Sequence, residues 1–179
     1  MRLSFSAPLL APLFALLAAA SAVADVVDSA ADRQLFLRGA KFSIAIPRDD
    51  WVITKEQMRS DGKSVYYALA SIRHDITLWA FIDQTPVCQS GKSCLELALK
   101  NDAYKNATDM KFSEHEGFSI VQFTLDPAKD GTTYQHLIGA TYVDGAWIDI
   151  HLTQQVKPAK LPDALLAYFK LLSIKRVES

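Results

Sequence analysis

Apolar and polar residues alternate with a period of two through most of the chain. "KFSIAIP" (Lys41 to Pro47) sets Phe42, Ile44 and Ile46 on one side, and Pro47 ends the run. "WVITKE" reads as a short second strand. "SVYYALASI" (Ser64 to Ile72) and "DITLWAFID" (Asp75 to Asp83) are β-rich runs joined as a hairpin about Arg73-His74. "MKFSEHEGFSIVQFTL" reads as two strands about a turn at Glu114 to Gly117. "TYQHLIGATYV" and "AWIDIHLTQQ" form another hairpin, with Asp144-Gly145 as the two-residue turn that favours both left-handed φ angles. Two stretches switch to a helical period. From Ser93 to about Ala103, Leu95, Ala98 and Leu99 make an apolar stripe. In "KLPDALLAYFKLLSI", Pro162 suits a first helical turn, and Leu161, Leu165, Tyr168, Phe169 and Leu172 face inward. Many strands and two helices imply an α+β fold, a mainly antiparallel sheet packed with helices.

The Asp144-Gly145 turn also fixes a register. Val143 then faces Ala146, Tyr142 faces Trp147, Ala140 faces Asp149 and Ile138 faces His151. One sheet face receives Leu137, Thr141, Val143, Ile148, Ile150 and Leu152. The other receives His136, Ile138, Ala140, Tyr142, Trp147, Asp149 and His151, with His136 diagonal to His151. The earlier hairpin divides the same way. Val65, Tyr67, Leu69, Ile76, Leu78 and Ile82 fall on one side, and Tyr66, Ala68, Ala70, Trp79 and Phe81 on the other. One face is thus aliphatic, and the other carries aromatics beside small residues.

Three readings of the aromatic face are open. A helix covers it, and Asp149 and His151 are rim residues or a hydrogen-bonded pair within ordinary core. Alternatively it forms a groove for a ligand or partner, bordered by Tyr142, Trp147, Asp149, His151, His136 and Trp79. Or His136, Asp149 and His151 hold a metal, although two strand histidines without a third firm ligand are a thin set.

The ends of the chain add a compartment. Met1-Arg2, an apolar run from Leu9 to Ala20 and the small residues Ala22-Val23-Ala24 form the pattern of a cleaved export signal. Residues 1–24 are therefore expected to leave, with Asp25 as the new N-terminus. Residues 25–39 read as a loose leader and 40–177 as a single domain. No cysteine near the cleavage point supports a lipid anchor, and no later run has the length of a membrane helix. Arg2 is the one charged residue of the signal, so the 19 basic residues become 18 against 20 acidic ones. That balance argues against nucleic-acid or anionic-membrane binding.

Cys88 and Cys94, in "PVCQSGKSCLEL", are expected to pair in an oxidising compartment. Ser93 to Glu96 fits a capping box, which makes Cys94 the first helical residue. A redox-active thiol is the alternative, because a helix N-terminus lowers a cysteine pKa, although the spacing is not C-x-x-C. His115 and His74 fall in turns, Asp49-Asp50 marks a turn, and Asn106 to Thr108 fits a glycosylation sequon. There is no nucleophile elbow, no H-E-x-x-H and, with seven glycines, little material for a phosphate loop.

The order of elements resembles the PsbP-like fold, shared by an extrinsic photosystem subunit and bacterial DcrB-type envelope proteins. "FSIAIPRDDW" resembles that family's opening strand, proline and tryptophan. "DGAWIDIHLT" resembles its late strand after a tight turn, and the last helix with "LLSIKRV" resembles its end. The resemblance spans most of residues 40–177 and implies an α/β/α sandwich in an envelope setting. It brings no shared catalytic set. The expectation is an exported, soluble binding or accessory protein, periplasmic or secreted, not an enzyme and without a cofactor. Its partner would be another envelope protein or a small ligand. The alternatives are a small metal-dependent hydrolase using His136, Asp149 and His151, or a structural factor with protein partners alone.

Overall fold

The computed structural model describes residues 32–47, 51–125, 131–156 and 164–176. The expected signal, the first part of the leader, Asp49-Asp50, Leu161 and Pro162 lie outside these residues. In chain order the elements are β1 (Arg33–Leu35), β2 (Phe42–Ile46), β3 (Trp51–Met58), β4 (Ser64–Ser71) and β5 (Ile76–Asp83). Then follow α1 (Gly91–Ala98), a 3-10 turn (Asp102–Tyr104), β6 (Thr108–His115) and β7 (Phe118–Thr124). β8 (Tyr134–Val143), β9 (Ala146–Gln155), α2 (Ala164–Phe169) and β10 (Ser173–Arg176) complete the described fold. It is α+β: mostly antiparallel sheet with two helices.

Seven strands form one sheet in the order β3-β4-β5-β9-β8-β7-β6, and β1, β2 and β10 form a second, smaller one. The β8–β9 register pairs Val143 with Ala146 and Ile138 with His151, as the turn dictates. Asp144 and Gly145 both take positive φ, 48° and 86°, which matches the twist of the strands they join. The β4–β5 connection is longer than Arg73-His74 suggested. Ser71 pairs with Ile76, and Asp75 turns the chain at φ 54°.

The aliphatic face packs against β2, whose five residues are all buried, and against α2 through Leu165, Tyr168 and Phe169. Phe169 lies over Gly139, where a Cβ would stand 2.2 Å from the ring. Only glycine leaves room for that ring. The leader expectation needs correction. Arg33–Leu35 pairs with β2, and Leu35 and Leu37 are buried in the main core. Their apolar side chains belong to the fold, so residues before 40 are part of the packed domain.

The helix expected from Ser93 begins earlier. Ser90 is the cap, its hydroxyl accepting from the Ser93 amide while Ser93 returns the bond, and Gly91 is the first helical residue. Gly91 sits where a Cβ would meet the Ala140 carbonyl oxygen at 2.8 Å, so the helix start is pressed onto β8. Cys88 and Cys94 are bonded, with Cα atoms 5.1 Å apart, and there are no free cysteines among the described residues. Both are buried with Leu95, Val121, Phe123, Ile138 and Ala140, so the bridge fastens α1 to the second face.

Candidate functional site

α1 covers only one part of the second face. It lies over β7, β8 and the adjoining part of β9. Tyr142 and Trp147 pack against this cluster as partly buried core residues, and Trp147 meets Phe81 edge-on at 5.5 Å. Further along the strands the covering stops and a cavity of about 450 Å³ opens. β4 and β5 supply Tyr66, Trp79 and Phe81, and β8 and β9 supply His136, Asp149 and His151. Tyr104, on the 3-10 turn after α1, closes one side together with Ala103 and Leu125.

The period of two places these side chains together. Register sets Trp79 beside His151 and Phe81 beside Asp149. The Trp79 and His151 rings lie 5.0 Å apart, and Phe123 stacks on His136 at 5.2 Å with planes 7° apart. His136 Nδ1 and His151 Nε2 approach to 3.1 Å, and His151 Nδ1 lies 3.4 Å from the Tyr104 hydroxyl. A neutral imidazole offers one donor and one acceptor, so a Tyr104–His151–His136 chain is satisfied in either direction.

Burial governs the charges. It holds His136 down to about 4. Burial, and then the neighbouring His136, holds His151 down to about 3. Both are neutral imidazoles at pH 7. Burial and next the Asp149 charge push the Tyr104 phenol upward. Asp149 is pushed up to about 7 by burial, because no opposite charge compensates it. The residue keeps some exposure, yet its Oδ1 is shut off from solvent and has no hydrogen-bond partner. The indole N–H of Trp147 is likewise buried and unpartnered.

The structure therefore divides the expected site residues. Trp79, His136, Asp149 and His151 share the cavity, whereas Tyr142 and Trp147 lie toward the helix-covered part. An open cavity and a helix-covered stretch lie on different lengths of the same face. Among the described residues no group of three His, Cys, Asp or Glu side chains is placed to hold a metal. The register explains why the trio of His136, Asp149 and His151 does not converge. Asp149 pairs with Ala140 and His136 with Thr153, so they lie on opposite sides of the His151 row, about 13 Å apart along the strands.

Tyr104 is the residue sequence reasoning missed. An α-helix drawn through to Ala103 gave it no defined direction. The signal was Asn101, whose side chain accepts from the Ala103 amide and starts the 3-10 turn. The two other histidines are less solvated than turn positions suggested. His115 ends β6, half-buried, with Nε2 lacking a partner. His74 packs 5.5 Å from the Tyr168 ring while its carbonyl accepts from Gln154. No described helix is long and apolar enough to cross a membrane.

No family model matches the chain, and no curated protein matches it. Among solved structures, a crystal structure from Bacteroides thetaiotaomicron VPI-5482 is similar, with a TM-score of 0.49 and 12% identity. The similarity covers 81% of this chain and 49% of that one, so this chain spans about half its length.

Proposed function

We propose that this protein is an exported, non-enzymatic binding or accessory protein of the bacterial envelope, with a small-molecule site in the aromatic cavity. The carrying observation is the cavity itself. Flat apolar walls from Tyr66, Trp79 and Phe81 meet a few polar groups from His136, Asp149 and His151. That is the composition of a ligand site, and its size falls in the range such sites occupy. The export signal read at residues 1–24 and the Cys88–Cys94 bridge support an oxidising compartment, periplasmic or extracellular. The PsbP-like sandwich is the family reading consistent with a sheet that carries α2 on one face and α1 over part of the other. It is supported by the motifs at residues 42–51 and 144–153.

Protein-observed NMR against a library of small neutral and charged molecules tests the cavity. The expected result is a set of compounds that shift Trp79 and His151 resonances and lose their effect in Trp79→Ala. Compounds that bind only elsewhere, or equally well to Trp79→Ala, sink the reading. Mass measurement of the exported protein should give a chain beginning at or near Asp25 with no free thiol. Metal analysis of untagged protein separates this reading from a metal-dependent hydrolase, which requires a stoichiometric ion.

A further inference from the structure

We infer that the cavity takes an organic cation, an alkylammonium group seated against the aromatic rings with Asp149 as its counter-charge. This rests on the binding reading above and names the ligand class for the same site. Two independent features carry it. The first is the wall: Tyr66, Trp79, Phe81 and Tyr104 all border one space. Aromatic faces carry negative quadrupole charge and attract a cation lying within about 6 Å of a ring centroid. The second is the Asp149 carboxylate. It lines the same space, and its Oδ1 is buried without a hydrogen-bond partner among the described residues.

A buried carboxylate without a partner is costly, and proteins ordinarily pair it. Lys55 Nζ stands over one wall ring, 5.6 Å from the Tyr66 centroid, but among the described residues no lysine or arginine lines the cavity beside Asp149. α1 directs Lys92 and Glu96 to a different cavity, against β6 and β7. The cavity's two histidines are neutral imidazoles engaged with each other, so they add no positive charge. A cation entering this space gains ring contacts and supplies the missing partner at once. An anion would be repelled by the carboxylate, and a neutral molecule would leave its charge uncompensated. The methylated ammonium head is the form best matched to rings rather than to many hydrogen-bond acceptors.

The test uses choline as the probe and 3,3-dimethylbutan-1-ol as its uncharged counterpart of the same shape. Titrations are followed by tryptophan fluorescence and by NMR of the folded protein. Choline is expected to bind roughly tenfold or more tightly than the neutral alcohol. Asp149→Asn, which keeps the shape and removes the charge, should lower choline affinity by a similar factor and leave the alcohol unaffected. Trp79→Leu, which keeps apolar bulk and removes the ring, should also weaken choline. Equal binding of choline and the alcohol overturns the cation assignment and leaves the cavity a binding site. Unchanged choline binding by Asp149→Asn overturns it as well. No choline-induced shift at Trp79 or His151 in wild type overturns it outright, whatever the neutral library shows.

Discussion

The two faces of the seven-stranded sheet are made by the same strands, yet they are finished differently. On the aliphatic face Leu69, Leu78, Ile82, Leu137, Ile148, Ile150 and Leu152 are essentially inaccessible under β2 and α2. On the other face, α1 has eight residues, a length of about 12 Å. Seven strands span about 29 Å across. A helix that short lies over β7, β8 and part of β9, and leaves β4, β5 and the far lengths of β8 and β9 to line the cavity. An aromatic face is therefore neither core nor site by composition. What decides is how far the covering element reaches, and here the cavity begins where α1 ends.

The largest effects should come from the fully covered face. Ile150→Ala is expected to cost roughly 2–5 kcal/mol, through lost burial and the cavity left behind. His151→Ala, one residue on but facing the other way, should cost roughly 1 kcal/mol because its ring already borders empty space. Urea melts of the two variants check the pair. Equal losses would erase the contrast between faces and count against a ligand site at His151.

Gly139→Ala should cost about 3 kcal/mol, at the upper end of ordinary overpacking. Its Cβ would stand 2.2 Å from Phe169, a ring that is itself fully buried. The companion Phe169→Leu should recover part of the loss in a double mutant, since the pair is in direct contact. Full additivity of the two changes would show that Phe169 does not pack on that glycine.

Next is the fastening of α1. Replacing Cys88 and Cys94 together by serine should lower stability by about 2.4 kcal/mol, from the entropy of a loop of about seven residues. Hydrogen exchange should then rise most in α1 and the adjoining Tyr104 turn, while β2 and β10 stay protected. Uniform loosening of both faces would mean that the bridge does not define the helix-covered part alone.

These predictions rest on features of unequal visibility in the sequence. The β8–β9 register was legible to the residue, because Asp144-Gly145 fixes the turn and side chains alternate strictly. The partition of each hairpin into an aliphatic and an aromatic face followed from the same alternation. The pairing of β5 with β9 was not legible, since local pattern carries no record of which distant strand lies alongside. That pairing is what sets Trp79 against His151. The β1–β2–β10 sheet escaped notice for a related reason. Arg33–Leu35 is three residues long and gains its strand form from β2, not from its own alternation. The helix start was misplaced by three residues because "SGKS" offers two serines, and the geometry of Gly91 against β8 selects the first.

The pH dependence of stability isolates the charge of Asp149. In the folded protein this carboxyl titrates near 7, against 3.8 for the unperturbed group. Between those values the folded state holds a proton that the unfolded state has released. The contribution of Asp149 to stability is therefore fully present below about pH 4 and is lost as pH rises through about 7. His136 and His151 act in the opposite direction. Their folded values lie near 4 and 3, so their contribution is lost as pH falls below the ordinary imidazole range. Wild-type stability mixes the two trends, which is why the difference between wild type and Asp149→Asn is the informative quantity. That difference should be near zero at pH 4. It should grow steadily in favour of Asp149→Asn up to pH 8, on the order of 3–4 kcal/mol for a carboxyl moved from 3.8 to about 7, because the cost of the unpaired amide does not change with pH. Saturating choline should shrink the difference at pH 8 by stabilising the ionised wild type alone. A difference that stays flat from pH 4 to 8 would mean that the carboxylate is solvated. The uncovered part of the aromatic face would then be ordinary surface.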